Sequence, residues 1–116
     1  MRKIKVLGIT ARKQPRVPTD IGCIVNIGSK GHVCRILNIS VLGVYVAIEP
    51  VPEVGKNVEL TFSVPPVDDS MVVRGVVRWN SNTAERALLT GAGIAFVDLP
   101  GDIEDLIADY VKSRTG

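Results

Sequence analysis

Two short patterns in this chain gather polar side chains of the kind that grip an anion. Arg12-Lys13-Gln14-Pro15-Arg16 sets two arginines at an RxxxR spacing, and Asn38-Ile39-Ser40-Val41-Leu42-Gly43 reads NxSxxG. A guanidinium is a permanent cation whose donors form a rigid fork, matched to phosphate and carboxylate oxygens. The Asn38 amide and Ser40 hydroxyl each donate and accept. Gly43 lacks a Cβ, so a ligand can approach its backbone. Neither pattern is specific alone. Arg74-Gly75-Val76-Val77-Arg78 repeats the RxxxR spacing inside a strand-like run, where two arginines would lie ~13 Å apart on one face as solvent-facing charges. Asn, Ser and Gly are also what a turn between two strands uses.

Catalytic chemistry finds little here. The serines sit in no GxSxG setting. The single histidine, His32, occupies a turn-to-strand position, so a Ser-His-Asp arrangement is not expected. Cys23 and Cys34 are too few for a disulfide framework and too isolated for a zinc site, and they read as reduced, apolar-facing thiols. Gly91-Ala92-Gly93 precedes a strand, whereas a dinucleotide-binding glycine loop follows one and opens a helix. The chain is therefore expected to be no enzyme, with no metal and no cofactor.

The elements that must position the two motifs follow from the periodicity. Lys3 to Val6 alternates enough to allow a short strand, and Pro15 and Pro18 then call for an extended or turning loop. From Ile21, apolar residues recur at every second position through Cys23, Val25 and Ile27, as in a half-buried strand. Gly28 to Gly31 is a turn, and Val33 to Ile39 the next strand, with Val33, Leu37 and Ile39 on one face. Further strands are expected at 44–48, 58–64, 71–79 and 93–98. Ile103, Leu106, Ile107, Tyr110 and Val111 then switch to helical spacing, which predicts one helix from Asp102, as N-cap, to Ser113. Short strands and turns followed by one helix predict an all-β fold, a six-stranded antiparallel β-barrel with one C-terminal α-helix. Residues 1–20 form a basic N-terminal segment carrying the RxxxR loop, and 21–116 the barrel and helix. A hairpin around Gly28 to Gly31 would bring the start of its first strand beside the end of its second. RxxxR would then face NxSxxG.

The charge distribution agrees. Net charge is only +2, yet the first sixteen residues hold Arg2, Lys3, Lys5, Arg12, Lys13 and Arg16 and no acid, whereas Asp98, Asp102, Glu104, Asp105 and Asp109 make the other end acidic. A basic arm on a near-neutral body suits an anionic partner. Nucleic acid is not the expected one, because aromatic residues make up only 4% and offer few stacking platforms. No apolar run approaches the ~20 residues of a transmembrane helix, so no membrane insertion is expected. The apolar stretch Val6 to Ala11 is too short for a secretory signal, which leaves the cytoplasm as the expected compartment.

Taken together, the motifs resemble the PilZ domain family, whose signature is RxxxR on an N-terminal loop and (D/N)xSxxG on a barrel. Arg12, Arg16, Asn38, Ser40 and Gly43 complete both, with Asn in place of the commoner Asp at position 38. Gly43-Val44-Tyr45-Val46, Val54-Gly55-Lys56, Leu60-Thr61-Phe62 and Gly91-Ala92-Gly93-Ile94-Ala95-Phe96 also look like that family, so the likeness covers roughly residues 10 to 112. The resemblance implies a six-stranded barrel that binds cyclic di-GMP through those five residues and signals to a downstream protein partner. An arginine fork can take guanine O6 and N7, and also phosphate oxygens. Trp79, at the end of the fifth strand, is placed to stack on a purine or, alternatively, to cover the barrel end or pack on the helix. The family also holds members that act through proteins without the ligand, which is the alternative reading.

Overall fold

A computed structural model of the chain describes residues 14–82 and 90–115. Arg12, the short strand allowed at Lys3 to Val6 and most of the polar connection between 80 and 90 lie outside the described residues.

The period-two runs become six strands: β1 Val17–Ile27, β2 Lys30–Ser40, β3 Gly43–Ala47, β4 Asn57–Phe62, β5 Met71–Asn80 and β6 Ala92–Val97. All pair antiparallel, in the order β1-β2-β3-β6-β5-β4, and close into a barrel. One helix follows, α1 Gly101–Thr115. This is the expected fold class. The β1–β2 hairpin turns at Gly28, whose φ of 62° suits glycine. Its register pairs Val17 with Ile39 and Pro18 with Asn38, so the segment before β1 lies beside the end of β2.

β1 begins four residues earlier than the prolines suggested. Pro18 is accommodated because a register irregularity follows it and because β1 pairs with β4 only over Ile24–Asn26. Proline is tolerated at such bulged, one-sided stretches. Val17 is thereby buried in the core.

A second irregularity corrects the expected face of β2. Val33 is 88% exposed, and the inward side chains are Cys34 and Ile36. Pairing with β3 then skips Leu37, since Ile36 faces Val46 and Asn38 faces Tyr45. The extra residue resets the alternation, so Ile39 points in and Asn38 out. β5 does the same: Val77 pairs with Ile94 and Trp79 with Gly93, leaving Arg78 as the additional residue. Arg78 and Trp79 are consecutive exposed positions, and Asn80 returns to the interior.

Val25, Ile36, Ile39, Leu60, Val73, Val77 and Ile94 fill the barrel, each large aliphatic contributing about 1.5–3 kcal/mol on burial. Cys23 and Cys34 face each other across β1 and β2 with their sulfurs 3.6 Å apart, both unbridged. The hydrogen bond with Cys34, then burial, pushes the Cys23 thiol upward; the same bond pulls Cys34 down. Helix α1 packs on β1 and β2 through Ile107, Tyr110 and Val111, and the hydroxyls of Thr19 and Tyr110 are hydrogen-bonded. Its first bond runs from the Glu104 amide to the Pro100 carbonyl. Pro100, not Asp102, thus caps the helix, and Asp102 sits inside the first turn, where its charge suits the positive end. Among the described residues no helix is long and apolar enough to cross a membrane.

Candidate ligand-binding site

The two bulges act at the same level of the barrel. Asn38 on β2 faces Tyr45 on β3, Tyr45 faces Gly93 on β6, and Gly93 faces Trp79 on β5. One outward row therefore crosses four strands, and its two ends are turned outward by the extra residues Leu37 and Arg78.

At the β2 end, the Arg16 guanidinium donates to the Asn38 side-chain oxygen at 2.7 Å. The hairpin register brings the second arginine of RxxxR onto NxSxxG, as the sequence suggested. Partial burial lowers the Arg16 pKa, yet a guanidinium stays charged at any ordinary pH. Arg12 lies outside the described residues.

The other two motif residues are turned to the barrel. Ser40 is 1% exposed, and its hydroxyl oxygen accepts from the Leu42 amide at 3.0 Å. The Leu42 carbonyl in turn accepts from the Phe96 amide at 3.0 Å, so the Val41–Leu42 turn is held from both sides. Gly43 answers a packing demand. A Cβ there would strike the Ile94 carbonyl oxygen and lie 3.1 Å from the Ala95 Cα. Its missing side chain lets β3 close on β6.

The middle of the row is aromatic. Tyr45 and Trp79 stack with ring centroids 5.0 Å apart and planes 13° from parallel. Burial raises the Tyr45 pKa. Trp79 keeps 44% of its surface exposed, whereas Tyr45 keeps 9%. Gly93 makes room for the indole, since a Cβ there would fall 2.6 Å from Cε2 and 2.8 Å from Cδ1.

An open cleft of about 250 Å³ runs along this row, with Arg16 and Asn38 at one side and Arg78 and Trp79 at the other. That is below the ~300–1,000 Å³ usual for a whole drug-sized ligand, and it suits one planar base with its neighbouring charge. Arg74 and Arg78 are equivalent in sequence spacing, but they part company here. Arg74 pairs with Asp98 at 3.1 Å, and Arg78 lines the cleft. Tyr45 and Arg78 are site residues that the sequence reading missed. Tyr45 entered only as part of the family-like Gly43–Val46 run, with no place at the ligand, and a bulge leaves no mark in an alternating pattern. Among the described residues no group of His, Cys, Asp or Glu is arranged to hold a metal.

Comparison with known proteins agrees with this architecture. In sequence, no curated protein matches. Among solved structures, the Bacillus subtilis inhibitor of motility (MotI/DgrA) superposes with a TM-score of 0.77 at 14% identity, over 90% of this chain and 50% of that one. The PlzA protein of Borreliella burgdorferi, solved in complex with c-di-GMP, superposes with a TM-score of 0.65 at 18% identity, over 92% of this chain and 45% of that one. The chain spans about half the length of these proteins, and at such identities the likeness is one of fold. The PilZ domain family matches residues 10–113, from before the first arginine of RxxxR to the last turns of α1, and the chain belongs to that family.

Proposed function

We propose that this chain is a receptor for cyclic di-GMP, acting in the cytoplasm as a binding module rather than an enzyme. The observation that carries the reading is the Arg16–Asn38 hydrogen bond at the edge of a cleft whose wall is an aromatic pair. Asn38 holds the guanidinium in place, so its fork is already oriented for guanine O6 and N7 or for a phosphodiester. Arg12 would supply a second fork from the preceding loop. Ser40 and Gly43 serve by fixing the turn and the β3–β6 contact that carry Asn38. The complex of PlzA with c-di-GMP supports this ligand for the shared fold. Gln14 and Pro15 line a groove with Val111 and Lys112 of α1. Ligand capture at Arg16 would therefore reorder a surface formed by the basic segment and the helix, which a separate protein would read.

Calorimetric titration with cyclic di-GMP tests the proposal, and saturable binding at micromolar concentration is expected. An outer row of Val33, Ile24, Thr61 and Val72 crosses the other wall, and its three aliphatic members are exposed. This row favours the second reading, a protein-interaction module of the same fold. Absence of binding at high micromolar ligand would leave that reading in its place.

A further inference from the structure

We propose that Arg78 is a third ligand-contacting arginine of this cleft, one that binds the phosphodiester through its charge; the inference rests on the cyclic di-GMP reading. Three observations carry it. First, Arg78 is the additional residue of the β5 bulge, so it shares the outer surface with Trp79 instead of alternating with it. Second, it lines the same cleft as Arg16, at the β5 end of the row while Arg16 bonds Asn38 at the β2 end. Third, among the described residues Arg16 and Arg74 each bond a neighbouring side chain, whereas Arg78 has no hydrogen bond or ion pair. A base that stacks on the exposed indole would lie in a cleft lined by both Arg16 and Arg78.

The difference in restraint divides their roles. Reading guanine O6 and N7 needs a fork held in one geometry, and Asn38 holds Arg16 that way. A cation with no side-chain restraint can turn to whichever phosphate oxygen is presented, and phosphate is the only charged group of the ligand.

The test compares cyclic di-GMP affinities of Arg78→Ala, Arg78→Lys, Arg16→Ala and Arg74→Ala with wild type at several salt concentrations. Arg78→Ala should bind about tenfold more weakly and with a shallower salt dependence. Arg78→Lys, which keeps the charge, should stay within about threefold of wild type, and Arg74→Ala should be unchanged. Arg78→Ala equal to wild type, while Arg16→Ala is impaired, overturns the inference and leaves the receptor reading standing. Arg78→Lys as weak as Arg78→Ala overturns the charge assignment, because the fork would then be what matters. No binding by wild type removes the receptor reading and this inference together. Arg78 is exposed, so unchanged thermal unfolding of the variants is the expected control.

Discussion

The Trp79 indole covers Gly93, and a Cβ at that glycine would fall 2.6 Å from the ring carbon Cε2. The contact spans β5 and β6 at the point where Arg78 is the extra residue. Without the bulge, the alternation of Met71, Val73, Gly75 and Val77 would carry Trp79 into the barrel. The bulge turns the ring outward, and Gly93 gives it a bed beside Tyr45.

Gly93→Ala should therefore displace the indole rather than merely stiffen β6. Trp79 is the only tryptophan, so its emission reports the change directly. A shift in emission maximum and a loss of about 1–3 kcal/mol in denaturant unfolding are expected. Unaltered emission and stability would mean that the ring does not rest on this glycine.

Trp79 should also answer to ligand. A base stacked on its exposed face changes its fluorescence on saturation with cyclic di-GMP, and Trp79→Ala should cost about 1–3 kcal/mol of binding, tenfold or more in affinity. Saturation by calorimetry with a silent tryptophan would place the base elsewhere.

Gly43→Ala separates packing from ligand access. The Cβ meets the Ile94 carbonyl and the Ala95 Cα, both backbone atoms that cannot swing aside. The variant should lose about 1–3 kcal/mol of stability with no ligand present. A variant as stable as wild type would return Gly43 to a direct role at the ligand.

How much of this was legible in sequence depends on the kind of feature. The strands and helix were, because apolar spacing records which side chains face the core. The meeting of Arg16 with Asn38 was legible as well, since the turn at Gly28 to Gly31 fixes which strand ends are neighbours. The face of Val33 and the separate fates of Arg74 and Arg78 were not. An inserted strand residue is an ordinary residue, and only the partner strand reveals it. Ser40 and Gly43 were legible as a motif but not in their geometry. A serine hydroxyl that accepts its own turn's amide and one aimed at a ligand read the same in sequence.

Cys23 and Cys34 should be recovered as two free thiols on labelling of unfolded, unreduced protein. In the folded protein both should label slowly. They are 5% and 7% exposed, and the Cys23 thiol, held up by its bond to Cys34 and by burial, supplies little thiolate at neutral pH. Rapid native labelling of both would contradict their burial.

Arg16→Ala is the substitution on which the site stands. The guanidinium lies on the exposed segment that leads into β1, and its one hydrogen-bond partner among the described residues is the half-buried Asn38. Its removal should spare the fold and cost a charge-assisted contact of about 1.5–3 kcal/mol, roughly tenfold to hundredfold in cyclic di-GMP affinity. Arg12→Ala should behave alike, as the other member of RxxxR. Asn38→Ala should weaken binding through the same arginine, because the fork loses its restraint. Arg74→Ala is the internal control: that side chain pairs with Asp98 on the surface, where an ion pair contributes little. Ligand chemistry gives a second control. Adenine presents an amino donor in place of O6, so cyclic di-AMP leaves an arginine fork half satisfied and should bind poorly. Isotherms for the variants with both dinucleotides decide the matter. Binding by wild type that survives Arg16→Ala unchanged, or that fails to distinguish the two ligands, would mean that guanine is not read by this arginine.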